Sequence, residues 1–462
     1  MSLRPAPRLG SPYARHAFSS ACANARALAL LLAFAWPSVA NASPQDRGDA
    51  SKIARRAARI ADARARGSAR AGDMLTKLPP EELASARALR GLRAWLESGG
   101  AANAIGVDRV VEAQRAVASS ADVEEAVERL ELARLVGSSI AELRTRANDL
   151  LSRQAEDGAF PASRQIEKDL RVDDAALTAR ALWALKGGLG PQLEAAVEQR
   201  ALDYLLRAQR ADGGVGASGA SNGAATAASA AIWMRCAAST PDSARREKLL
   251  RAIDRAERWL RASDRFDQNP GARADAFAWL VDHARATKIL LWPADPTRSA
   301  SHDRDLFLAE FQLLDAGWNR SASMNDVMGG GGMPTAAGQR GVAIQIAFDF
   351  DDTASAVLAL HARVLPTPAE LELALRRRLG AASALPPSAS WDELAEMLRL
   401  QQKVAVPILL EQLEHQEQLI RRCADHLLRA ITGEDFGFVP NRRRDDARNA
   451  EALRAWREWW KK

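Results

Sequence analysis

Apolar residues recur at helical spacing along most of this chain, and no stretch shows the alternation of a half-buried strand. The segments "LASARALRGLRAWLE" and "VEEAVERLELARLVG", within residues 83–137, place Leu, Val and Ala at i, i+3 and i+4 and predict two amphipathic helices. From Ala141 onward a theme repeats: "ANDLLSRQAEDGAF", "ALDYLLRAQRADGGVG", a degenerate "AERWLRASDRFDQ" and a trace in "EFQLLDAGW". Aligning Leu151, Leu206, Leu260 and Leu314 gives steps of 55, 54 and 54 residues, the signature of a repeated helix pair. The first two copies end in Gln-x-x-Asp-Gly, where glycine accepts the left-handed backbone that closes a helix and reverses the chain.

A second helix follows each of these: "LTARALWAL", "ATAASAAIW", "ADAFAWLVDH" and "DTASAVLAL". Thr178, Thr226, Asp275 and Thr353 occupy matching early positions. Their side-chain oxygens can serve otherwise unpaired backbone N–H groups. The small residues behind them suit inner helices that approach their neighbours closely. The fold class expected is therefore all-α, with outer amphipathic and inner small-residue helices.

The flanks read differently. Residues 1–42 hold four arginines and no acid, then the apolar run Ala27–Trp36, then Ala40 and Ala42 as an A-x-A cleavage site before Ser43. That run is 10 residues, against roughly 20 needed to span a bilayer. An exported protein without an integral span after cleavage is expected, placed in the periplasm or outside the cell. Residues 43–73 read as an Arg- and Ala-rich linker or loose surface helix, 74–140 as N-terminal helices, 141–365 as the repeat region and 366–462 as further antiparallel helices. These last close on Leu453, Trp456, Trp459 and Trp460, one aromatic face that caps the preceding stack.

Charge and cysteine content narrow the classes. The chain carries +6, but four of those arginines belong to the leader, leaving about +2, so its basic pI is no argument for nucleic acid. After cleavage only Cys236 and Cys423 remain, 187 positions apart, which makes no disulfide framework.

The motifs of Gln154, Asp157, Gly158 and Phe160, repeated as Gln209, Asp212, Gly213 and Gly214, together with the paired helices, resemble the α/α toroid of the terpenoid cyclase and protein prenyltransferase superfamily. The likeness covers residues 141–365; the segment after Pro366 resembles HEAT-type helical repeats. Within that superfamily, "DFDDTA" is similar to the D-x-D-D-T-A motif of class II terpene cyclases. The resemblance implies Asp351 as the proton donor to an alkene or epoxide, with Asp349 and Asp352 as its neighbours. Crowded carboxylates in a dry cavity set an acid's strength by pushing one another's protonation apart. The residues alone leave a second reading open, an acidic cap on a helix N-terminus.

Other chemistries lack their residues. No Asp-x-Cys stands in the chain for a prenyltransferase zinc, and no Gly-Cys-Gly-Glu-Gln for a thioester. "MGGGGMP" lacks the Gly-Lys-Ser/Thr of a phosphate loop, and "SHDRD" reads as a loop of solvated charges rather than a metal site. No metal or cofactor is expected. Aromatic residues make up 5% of the chain, few for a cavity that must stabilise carbocations. The expected role is a non-catalytic binding or scaffold protein of the cell envelope, holding a hydrophobic or glycan ligand or a protein partner. An acid-catalysed cyclase through Asp351 is the alternative, and a polysaccharide lyase or glycosidase on an α/α barrel is a second. N-terminal sequencing of the protein recovered from its native host is expected to read from Ser43; a chain that still begins at Met1 contradicts the export reading.

Overall fold

A computed structural model describes residues 44–162, 173–189, 193–217, 219–262, 278–292, 304–310, 312, 350–362, 366–381, 389–442 and 446–461. Among them there are 17 α-helices and no strand. Residues Asp62–Lys462 form one compact unit, separate from the residues that precede it.

Helix α1 (Pro44–Thr76) runs through the segment expected as a linker or loose surface helix. It packs rather than lying loose, because Ala63, Gly67, Ala71 and Leu75 recur every fourth residue and are buried, a strip of mostly small side chains that hydrophobicity alone undercounts. Met74 and Leu75 share a core with Leu89 and Leu92 of α2 (Ala86–Glu97) and with Val107 and Val110 beside and within α3 (Asp108–Ala116).

Six helices then pack in cyclic order. These are α2, α4 (Val123–Leu135), α6 (Asp174–Leu189), α8 (Gly223–Ser239), α10 (Ala278–Ile289) and α12 (Phe350–His361). Each contacts the next, and α12 returns to α2. Alanine dominates α8, in which every residue from Ala224 to Met234 is buried, and so allows backbones to approach on all sides. Outside this cycle, α5 (Ile140–Leu151) packs on α4 and α6, α7 (Ala195–Ala208) on α6, and α9 (Ser243–Ala262) on α8. The short α11 (Arg304–Glu310) lies on α12.

The Gln-x-x-Asp-Gly turns staple consecutive outer helices. Gln154 donates its amide to the carbonyls of Gly158 and of Val197 in α7, both at 3.2 Å, and accepts from Arg200 at 2.8 Å. Fifty-five residues on, Gln209 donates to Gly213 at 3.0 Å and to Ala252 of α9 at 2.9 Å, and accepts from Arg255 at 2.5 Å. Leu150, Leu205 and Leu260 are the buried leucines in register, so the first three units step by 55 and 55, with the first two one position before Leu151 and Leu206; Leu314 lies outside the described residues. Thr178 and Thr226 act one turn inside their helices. Their hydroxyls accept from the turn residues Phe160 (2.9 Å) and Val215 (2.8 Å) and donate back to Asp174 and Asn222 at 2.7 Å. They tie turn to inner helix, while the cap of α8 is Asn222, whose side chain accepts from Ala225 N–H.

The C-terminal helices are α13 (Pro368–Gly380), α14 (Ala389–Arg399), α15 (Gln402–Gln412), α16 (Gln418–Thr432) and α17 (Ala447–Lys461). Glu370 joins them to the cycle: one oxygen caps α13 through Thr367 N–H at 2.8 Å, and the other takes Arg235 of α8 at 2.7 Å. Buried Trp456 of α17 meets Phe436 edge-on at 4.7 Å and Trp459 at 5.8 Å. Cys236 and Cys423 are both buried free thiols.

Gly158 and Gly213 have φ of 95° and 99°, and an added Cβ there would stand 2.2 Å and 2.5 Å from the carbonyl oxygens of Arg200 and Arg255. Gly137 is left-handed too but open to solvent. Chemical denaturation is therefore expected to show Gly213→Ala costing about 3 kcal/mol, against about 1 kcal/mol for Gly137→Ala. Equal losses at the two positions contradict the close approach of turn and helix.

Candidate functional site

The centre of the six-helix cycle is charged. Arg93 of α2 pairs with Glu128 and Glu131 of α4, and with Glu97 at 3.2 Å. Arg285 of α10 donates to both oxygens of Glu131 at 2.9 Å. Arg180 of α6 meets Asp282 of α10 at 2.8 Å, and Arg90 of α2 meets Glu124 of α4 at 3.0 Å. Two of these bridges cross the cycle, since neither α4 nor α6 is a sequential neighbour of α10 in it. Above them, the Arg235 guanidinium lies 3.5 Å from the centroid of the buried Trp183 ring, with that of Arg285 at 5.8 Å.

Arg90, Arg93, Arg180 and Arg285 and their carboxylate partners line a cavity of about 40 Å³, to which α12 contributes Ser355 and Leu358. Such a volume admits a few waters. Four guanidiniums face four carboxylates in its lining, so it offers a ligand neither a net positive nor a net negative field. Burial alone pushes the Glu131 carboxyl up, but Arg285 and Arg93 override it and hold it at about 2. Arg93 is likewise held above its ordinary value, its burial outweighed by Glu128, Glu131 and Glu97.

The residues predicted for acid catalysis are placed unequally. Asp349 lies outside the described residues. Asp351 is the second residue of α12, with its side chain outside the description. Asp352 is buried, one turn before Ser355 on α12, and is not among the residues that line the central cavity. The "MGGGGMP" segment also lies outside the described residues. From "SHDRD", Arg304 and Asp305 open α11 and are paired, where solvated charges were expected. Among the described residues no group of three or more His, Cys, Asp or Glu side chains is placed to hold a metal ion.

The central charges went unmarked in the sequence reading, although a signal for them exists. "LTARALWAL" carries Arg180 in a helix otherwise apolar or small, and "AWLVDHARATKI" carries Asp282 and Arg285 beside His283 and Lys288. A charge in such a helix needs a buried partner. Comparison with protein-family models, curated proteins and solved structures gives no match.

Glu131 generates a pH dependence. Its folded pKa is depressed from 4.5 to about 2, so its contribution is whole above about pH 4.5 and is lost as pH falls towards 2. That shift corresponds to roughly 3 kcal/mol. Glu131→Gln leaves Arg93 and Arg285 short of a carboxylate and is expected to cost about 3–5 kcal/mol at pH 7, with the difference from wild type shrinking below pH 4. Urea unfolding at both pH values measures this; a difference unchanged by pH contradicts the ion-pair role.

Proposed function

We propose that the six-helix cycle is an α/α toroid and that the chain is an exported, non-catalytic binding or scaffold protein of the cell envelope. The observation that carries this reading is the centre of the cycle. Matched ion pairs fill the place where an enzyme of this architecture would keep its substrate cavity, leaving about 40 Å³. The cyclic packing of inner helices and the 55-residue staples support the toroid. Export is supported by the leader pattern alone, the four arginines, the apolar run Ala27–Trp36 and the A-x-A of Ala40 and Ala42. Among the described residues no helix is long and apolar enough to cross a membrane. A ligand then has the outer helical surfaces available, where a glycan, an apolar chain or a protein partner can lie.

A second reading rests on Asp352. A buried carboxylate beside Asp351 is the kind of neighbour that an acid for alkene protonation requires. Incubation of the protein with squalene, with shorter polyprenyl substrates and with a polysaccharide panel separates the readings. No cyclised or cleaved product is expected from wild type or from Asp351→Asn. A cyclised product that disappears in Asp351→Asn contradicts the scaffold reading and carries the second.

A further inference from the structure

The charges at the centre of the cycle match sign for sign; those around Lys288, near the C-terminal end of α10, do not. Its Nζ donates to the backbone carbonyl of Ala362, just past α12, and no described carboxylate pairs with it. Arg304 and Asp305 open α11 beside it, and Arg64 arrives from α1. Arg304 holds one oxygen of Asp305 through Nε at 2.7 Å, and Arg64 holds the other at 3.0 Å. Among the described residues three cations thus share one carboxylate. The next acid that Lys288 feels is Glu97, which is already engaged by Arg93. The crowding shows in Lys288 itself: burial, then Arg304, push its amine down to about 8.

Donors are also left over. Arg64 Nε is buried without an acceptor, Arg304 has only the Thr287 hydroxyl at 3.5 Å for its remaining nitrogen, and Lys288 has further N–H groups beyond the one spent on Ala362. Arg304 is 10% exposed while Arg64 is 42% exposed, so the cluster is buried at one end and open at the other.

We propose that Arg64, Lys288 and Arg304 form a binding site for an oxyanion of the phosphate class, between α1, α10, α11 and α12. A phosphate or phosphomonoester carries about −1.5 to −2 at pH 7, which offsets the surplus of two positive charges; a carboxylate offsets half of it. Its oxygens also accept the donors that have no partner. The site lies apart from Asp351 and from the central ion pairs, and it does not rest on the scaffold reading.

The test titrates the full chain with inorganic phosphate by calorimetry, with chloride at equal ionic strength as control, and separately with sedimenting vesicles that carry phosphatidic acid. Saturable phosphate binding is expected, weakened at least about tenfold in Lys288→Met and in Arg64→Gln, the fold-change that losing one charge-assisted hydrogen bond produces. Because Arg64 is the most exposed of the three, its variant keeps the test valid if Lys288→Met does not fold. Binding to vesicles alone assigns the site to a lipid phosphomonoester. Absence of binding in both arms, or phosphate binding unchanged in Arg64→Gln, overturns the proposal.

Discussion

Glu131 is the carboxylate on which the rest of the structure turns. It takes a guanidinium from α2 and another from α10, and it stands on α4, so one side chain ties three of the six inner helices. An isolated ion is expensive to bury, by several kcal/mol even after relaxation, and removing one partner exposes that cost in full. Ala-rich helices bring the backbones close but leave little apolar bulk at the axis. Long arginines reach across the space, and carboxylates on the facing helices neutralise them. The arrangement specifies which helix sits opposite which, because a wrong pairing would strand a charge.

The outer wall obeys a different rule. Each Gln-x-x-Asp-Gly turn puts a side-chain amide against a carbonyl of the next outer helix and its glycine against that helix's backbone, so successive units are set at one spacing. The C-terminal helices join this body through charges as well. Glu257 of α9 takes Arg377 at 3.3 Å and Arg378 at 2.8 Å, both from α13, and its carboxyl stays below its usual range despite burial. Side-chain staples set the register of layers that share one continuous apolar core, from Leu130 and Leu182 to Leu260, Leu375 and Trp456.

The all-α class was legible because helical periodicity and the absence of alternation are local properties of the chain. The turns at Gly158 and Gly213 were legible for the same reason: a Gln, an Asp and a glycine at fixed offsets carry their own hydrogen bonds. What Thr178 and Thr226 bind was not, since their partners Phe160 and Val215 lie 18 and 11 residues back, across a turn. The packing half of α1 escaped notice because alanine and glycine at every fourth position look like linker composition. The central network was least legible. Glu131 and Arg285 are 154 residues apart, and no spacing rule connects them; only the oddity of charge inside an inner helix marks either one. For Asp351 the sequence motif still says more than the fold does, and Asp352 alone among the three carries a structural statement.

The proposed binding or scaffold role takes the ion-paired centre as its starting point and looks for a ligand on the surfaces of the helices. That inference depends on Glu131 and Arg285 being coupled in the folded protein. A double-mutant cycle of Glu131→Ala, Arg285→Ala and their combination, read by urea unfolding at pH 7, measures that coupling directly. The account predicts that the double variant loses about 2–3 kcal/mol less than the sum of the single ones. Strictly additive losses would contradict it, because they would mean that the two charges stand apart and the centre is open.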